Sequence, residues 1–188
     1  MASKLSLFLA ELAVAALLFA IPAESAAQTS TADRGGWVAL GMGGSLVRRS
    51  VERIGSVELA LQRGSNMLAV RSLGINRNSD AFRVWEVVEL LYGRAKWLGT
   101  KRVSVAFGLS WTCVSYPSEP SADPGESGTV NPHKDVIGIP IVVEASLSPS
   151  RSLGAGVQAF GNLNSAESFI GVALVAKVGS LRGSGSGK

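Results

Sequence analysis

Two stretches of strict two-residue alternation constrain this chain more than any other feature. In residues 101–116, Val103, Val105, Phe107, Leu109, Trp111 and Cys113 fall on one side, and Ser104, Ala106, Gly108, Ser110 and Thr112 on the other. In residues 135–147, Ile137, Ile139, Ile141, Val143, Ala145 and Leu147 share a side, with Gly138, Glu144 and Ser146 opposite. A period of two is the side-chain period of a β-strand, and strands of this length need a sheet to sit in. The weaker side decides which kind of sheet. A soluble sheet shows water a charged face, yet the weak side of the first stretch is Ser, Ala, Gly, Ser and Thr. Small uncharged residues suit the lining of a narrow barrel, where they leave room for larger polar side chains from neighbouring strands.

Less regular alternation runs through residues 36–47, 55–62, 67–76, 82–94, 153–161 and 168–181, which brings the strand count to eight. Pro140 falls inside the sixth strand, where it deletes a ladder bond unless a bulge absorbs it. Tight turns are expected at residues 63–66, 97–100 and 148–151, and longer connections at 48–54, 77–81, 116–134 and 162–167. Short and long connections therefore alternate. In an up-and-down barrel alternate connections emerge at the same end, so one end carries three tight turns and both termini, and the other carries four loops. Charge follows the same division. Arg63, Arg94, Lys96, Lys101, Arg102, Arg151, Lys177 and Arg182 gather at the tight-turn end, and Asp80, Glu119, Asp123, Glu126, Asp135 and Glu167 in or beside the longer connections. The first connection, with Arg48, Arg49 and Arg53 against Glu52, is the exception.

The expected product is an all-β, eight-stranded antiparallel up-and-down barrel that crosses a membrane. Its candidate lipid-facing residues are Val105, Phe107, Leu109, Ile139, Ile141 and Val143. Trp85, Tyr92, Trp97, Trp111 and Tyr116 lie near strand ends, where aromatic girdles belong. Glu58, Glu144 and Gln158 are the candidate polar groups of the lumen. Arg71 could pair with a glutamate there, although alternation sets it on the apolar side of its strand.

Lys4, an uncharged apolar run over residues 12–21, Pro22 and the small residues Ala23, Ser25, Ala26 and Ala27 form a secretory signal pattern. The run is shorter than the roughly 20 residues needed to span a bilayer as a helix. Cleavage is expected after Ala27, with Ser25 as the alternative. The chain then divides into a signal peptide (1–27), a polar lead (28–35), a barrel (36–182) and a flexible tail (183–188). Removing the signal takes away Lys4, Glu11 and Glu24 and leaves 17 basic and 12 acidic residues, a net charge of +5.

Stretches such as Leu91-Tyr92-Gly93-Arg94 and Gly161-Asn162-Leu163-Asn164 look like those of bacterial surface barrels. In strand count, loop alternation and size the chain resembles the small eight-stranded outer-membrane proteins of the OmpX and OmpA barrel type. That resemblance implies an outer-membrane location, contact with outer-membrane lipid and insertion by the barrel-assembly machinery. It implies no chemistry. It also implies an inward-facing basic end, turned away from lipopolysaccharide phosphates. The chain ends Gly-Ser-Gly-Ser-Gly-Lys188 rather than on an aromatic residue of the kind the machinery reads.

The residues argue against catalysis, cofactors and metals. His133 is the only histidine and is expected in the loop between Tyr116 and Lys134, near Ser127, Thr129 and Asp135. A loop rich in proline and glycine is poor support for a base and nucleophile. Cys113 alternates onto the apolar side and reads as a small hydrophobe. Glu86 and Glu89 lie three apart and so point to opposite faces of a strand. Gly41-Met42-Gly43-Gly44 and Gly154-Ala155-Gly156 lack the lysine of a phosphate loop and a following helix. No aromatic residues interleave with a basic stripe, so nucleic acid is not an expected partner.

Two functions are compatible with these residues. One is a non-enzymatic outer-membrane barrel with a structural or surface-interaction role, its partner met by the loop at 116–134, which has Pro117, Pro120, Pro124 and Pro132 and the acids Glu119, Asp123 and Glu126. The alternative is a soluble, lipocalin-like periplasmic barrel holding an apolar ligand. The direction of the face from Val103 to Cys113 separates them: outward for a membrane, inward for a ligand cup.

Overall fold

The computed structural model describes residues 34–47, 49–76, 84–115, 133–166 and 168–181. The expected signal segment, the lead up to residue 33, most of the connection at 116–134 and the tail lie outside the described residues. Eight strands follow in order: β1 (Arg34–Val47), β2 (Ser50–Arg63), β3 (Asn66–Asn76), β4 (Val84–Leu98), β5 (Lys101–Ser115), β6 (His133–Leu147), β7 (Leu153–Asn164) and β8 (Phe169–Ser180). Each pairs antiparallel with the next, and β8 returns to pair with β1 from Gly36↔Ser180 to Val47↔Phe169, closing the barrel. The hairpins β2–β3 and β4–β5 turn in two residues, with Gly64 and Gly99 at φ of 60° and 65°. Positive φ at the first central position is what primed hairpin turns require, and only glycine takes it without strain.

The registers fix the tilt. Following partners around the sheet from Arg34 leads through Arg63, Asn66, Arg94, Val105, Val143, Ala159 and Val172 back to β1 at Gly44, ten residues beyond the start. For eight strands that stagger corresponds to a tilt of about 40°, within the range at which side chains fill the interior.

The strands run further than expected at several ends. β1 starts at Arg34 rather than Gly36, and β4 continues to Leu98. β2 reaches back to Ser50, so the expected connection over 48–54 shrinks to 48–49. Alternation continues through that stretch: Glu52 and Ile54 are buried, Val51 and Arg53 exposed, and Ser45↔Glu52 and Leu46↔Val51 pair across to β1. Arg48, Arg49 and Arg53 resemble a loop by charge alone, which masks the pairing. β7 likewise continues to Asn164, leaving 165–168 as the last connection. The end opposite the termini therefore has two long connections (77–83 and 116–132) and two short ones, where four long loops were expected. His133 is not in a loop. It opens β6, paired with Ser115.

Pro140 is absorbed without a bulge. The β5–β6 ladder runs to Phe107↔Ile141, is interrupted, and resumes at Ser110↔Gly138 in the same register. Toward β7 the pairing is continuous through Pro140↔Asn162. The missing N–H of proline opens the ladder on one side only, and the register on both sides holds the gap closed.

Gly108, which faces the gap, also lies close to β4: a Cβ there would overlap the Leu90 carbonyl. Gly74, on the outer face of β3, has nothing near the same position. Gly108→Val should therefore lower the folded, heat-modifiable fraction on detergent gels, by a destabilisation of about 1–3 kcal/mol, while Gly74→Val leaves it unchanged. Equal behaviour of the two variants would show that the close approach of β4 and β5 does not matter.

Candidate functional site

The two faces of this sheet are inverted relative to a soluble barrel. Val105, Phe107, Leu109, Ile139, Ile141 and Val143 all stand on the outer face, with Phe107 and Leu109 61% and 63% exposed. Leu40, Met42, Leu90, Val172, Leu174 and Val178 are exposed beside them on other strands. On β6 this belt is unbroken from Ile137 to Leu147. At about 3.3 Å per residue and the tilt above, it is roughly 25 Å tall, the height of the apolar band of outer-membrane barrels.

The interior is charged. Arg71 and Glu89 are fully buried. Arg71 donates from Nε (2.8 Å) and Nη2 to Glu89 Oε2, and from Nη1 to Gln158 Oε1 at 2.8 Å. Gln158 passes the chain on, donating from Nε2 to Glu58 Oε2 at 3.1 Å, and the Trp37 indole N–H donates to Glu58 Oε1 at 3.4 Å. Asn162 donates to Ser110 Oγ at 2.8 Å and to Glu89 Oε1 at 3.5 Å. Nearer the tight-turn end, Glu144 accepts from Arg102 Nη1 at 3.0 Å and from Lys177 Nζ. Arg102 Nε also donates to Gln62 Oε1 at 3.3 Å. Trp37 joins the two clusters. Its ring has the Arg102 guanidinium 4.4 Å and the Lys177 ammonium 4.9 Å from its centroid, while its N–H reaches Glu58. Arg71 stacks in the same way on Phe160, at 5.1 Å. Arg71, Arg102 and Lys177 thus pair with Glu89 and Glu144 away from water, and Glu58 is held by Gln158 and Trp37; each charge has more than one partner, which is what makes buried charge tolerable. Toward the other end the lining is mixed, with Leu73, Ile75, Val87 and Val114 buried alongside Ser45, Glu52 and Thr112.

Glu58, Glu144 and Gln158 all lie in this network. Arg71 does pair with a glutamate there; it faces inward because the apolar side of β3 that it shares with Met67, Leu73 and Ile75 is the inner one. Arg102 and Lys177, expected among the cations of the tight-turn end, lie there as lumen residues, 2% exposed each. Glu89 and Asn162 were named in the sequence, but not as lumen residues. The available signal was parity: Glu89 alternates with Val87 and Leu91, and Lys177 with Ala173 and Val175, all buried. Glu86 is exposed and Glu89 buried, on opposite faces.

Among the aromatic residues, Trp111 and Tyr92 stand on the outer face, and the Tyr92 hydroxyl donates to Asn66 Oδ1 at 3.3 Å, at the tight-turn rim. Trp97 is corrected: it is partly buried against the interior cluster, because its position in β4 shares parity with Leu91 and Ala95. Trp85 lies in β4 between Ile75 and Val114. Its side chain, Tyr116, and the acids Glu119, Asp123 and Glu126 lie outside the described residues. Cys113 is a free thiol on the outer side, partly exposed. No group of His, Cys, Asp and Glu among the described residues is arranged to hold a metal ion.

No family model matches the chain, and no curated protein matches it in sequence. Solved structures do resemble it in fold. Neisserial surface protein A superposes with a TM-score of 0.58 at 9% identity, over 79% of this chain and 97% of that one. Ail, the attachment invasion locus protein of Yersinia pestis, gives 0.55 at 4% identity over 79% and 97%. The N-terminal barrel domain of Pseudomonas aeruginosa OprF gives 0.51 at 10% identity over 76% and 96%. The fold is that of the small eight-stranded outer-membrane barrels.

If the lumen network holds the barrel together, removing one charge should cost more than removing a pair. Arg71→Met leaves Glu89 buried without its cation and should destabilise the protein by about 3–5 kcal/mol in urea titrations followed by tryptophan fluorescence in lipid vesicles. Arg71→Met combined with Glu89→Leu should recover a large part of that loss. Additive losses would mean that the two side chains act independently.

Proposed function

We propose that this protein is an outer-membrane-embedded barrel with a plugged lumen, serving as a structural element or surface-interaction platform rather than as a pore or an enzyme. One observation carries this reading: the sheet is charged and interlocked inside and uncharged over a belt of membrane height outside. A ligand cup for an apolar molecule needs the opposite arrangement. Side chains from β2, β3, β4, β5, β6, β7 and β8 cross the interior and bond to one another, which leaves a solute no polar path through the middle.

Two of the similar structures are, by their names, a surface protein and an attachment protein, which favours a surface role. On this reading the barrel-assembly machinery inserts the chain, the tight turns face the periplasm, and the connection between Tyr116 and Lys134 meets any outside partner. No catalytic residue is assigned. His133 opens β6.

The mature protein should partition with outer membranes, migrate faster unheated than heated on detergent gels, and give no steady conductance in planar bilayers. Protease added to intact cells should cut first between Tyr116 and Lys134. Recovery in the soluble periplasmic fraction would sink the membrane reading, stable channels would sink the plugged lumen, and cleavage only after permeabilisation would reverse the orientation.

A further inference from the structure

Exposed charge is divided unequally between the two rims of the barrel. At the tight-turn rim Arg34, Arg63, Arg94, Lys96, Lys101 and Arg151 are exposed, and no carboxylate among the described residues is exposed with them. The described glutamates nearest that end, Glu58 and Glu144, are turned into the lumen and already engaged. At the other rim, exposed Arg49, Arg53 and Lys134 stand with exposed Glu86 and Asp135. The separation is therefore not a general excess of cations. One rim is mixed, and the other carries a single sign.

Four of the tight-turn cations are neighbours on β2–β5, and Arg34 pairs with Arg63 beside them. Arg63, Asn66 and Arg94 are successive partners across β2, β3 and β4. Lys96 follows Arg94 on the same outer face, and Lys101 lies diagonally across from it, next to the Lys96↔Val103 pair. At strand spacings of about 4.8 Å the group is about 15 Å wide. Its recorded partners are neutral: Arg94 Nη2 donates to Ser65 Oγ at 3.2 Å, beside the Tyr92–Asn66 bond. Directly above lies the apolar belt, with Leu68, Tyr92 and Phe107 exposed.

We infer that this face of β2–β5 is a docking site for anionic phospholipid in the leaflet at the tight-turn end. A free anion would satisfy the cations but leave the belt uncovered. A neutral lipid would cover the belt but leave like charges facing one another. A lipid with a negatively charged phosphate head and apolar chains matches both, and arginine forks suit phosphate oxygens. The inference rests on the membrane reading above and adds the lipid class and the residues that select it.

The test uses the purified protein inserted into vesicles of equal parts phosphatidylcholine and phosphatidylglycerol. Lipid retained after gentle detergent extraction is then quantified by mass spectrometry. Phosphatidylglycerol should be enriched about tenfold over phosphatidylcholine. The variant Arg63→Gln/Arg94→Gln/Lys96→Gln/Lys101→Gln should fall to parity, and Arg49→Gln/Arg53→Gln, at the opposite rim, should keep the enrichment. Parity in the wild-type protein, or full enrichment in the fourfold variant, overturns the inference. So does displacement of the lipid by excess inorganic phosphate, which would mark a simple anion site. Should the fourfold variant fail to insert, wild-type enrichment must still fall as salt rises, and salt-insensitive enrichment overturns the inference. Heat-modifiable migration is read in parallel. A wild-type protein that inserts without enrichment refutes the lipid site alone, whereas one that never inserts refutes the membrane reading and the site with it.

Discussion

Closure of the sheet between β1 and β8 is the constraint on which the rest of this structure depends. An open eight-stranded sheet would leave two rows of unpaired N–H and C=O groups, which water can solvate and hydrocarbon cannot. With Gly36↔Ser180 through Val47↔Phe169 paired, no edge is left along those strands, and an outer face of leucine, isoleucine, valine and phenylalanine becomes compatible with lipid. Closure with a ten-residue stagger also sets the diameter. It makes the interior narrow enough for side chains from opposite walls to meet, so the lumen is filled rather than open.

The interior answers a second constraint, that of charge away from water. An arginine such as Arg71, fully buried, would be untenable alone. It becomes tenable because β4 presents Glu89 next to it and β7 presents Gln158 across the barrel. The bonds that matter most connect strands far apart in sequence: Arg71 to Gln158 and Gln158 to Glu58. They can form only once the barrel has closed, so the network reports closure and stabilises it at the same time. The same arrangement withdraws the glutamates from the surface. That is why the tight-turn rim shows only cations among its described exposed charges, although the strands beside it contain Glu58 and Glu144.

Local chemistry determined a good deal. The alternation of residues 101–116 and 135–147 was enough for strands, and the absence of charge on the weak side of the first was enough for a barrel with its apolar face outward. Glycine at Gly64 and Gly99 marked two tight turns. These features are legible in the sequence because each depends on a residue and its near neighbours: side-chain period, turn conformation, composition of a face. Glu58, Glu144 and Gln158 were legible as lumen residues for the same reason.

What only the tertiary structure decided was which face of an ambiguous strand is the inner one, and who meets whom across the barrel. On β3 both faces are largely apolar, so alternation set Arg71 on an apolar side without saying that this side is the inner one; its direction is set by Glu89 and Gln158, which lie 18 and 87 residues away. Arg102 and Lys177 were grouped by charge with the other cations of the tight-turn end, and parity turns these two inward onto Glu144 and Trp37. Trp97 went inward by the same parity. The extension of β2 through Arg53 and the in-register passage of Pro140 were likewise decided by pairing with neighbouring strands. A two-residue period says that successive side chains part company. It cannot say which of them faces the lumen, because that depends on partners that closure alone brings together.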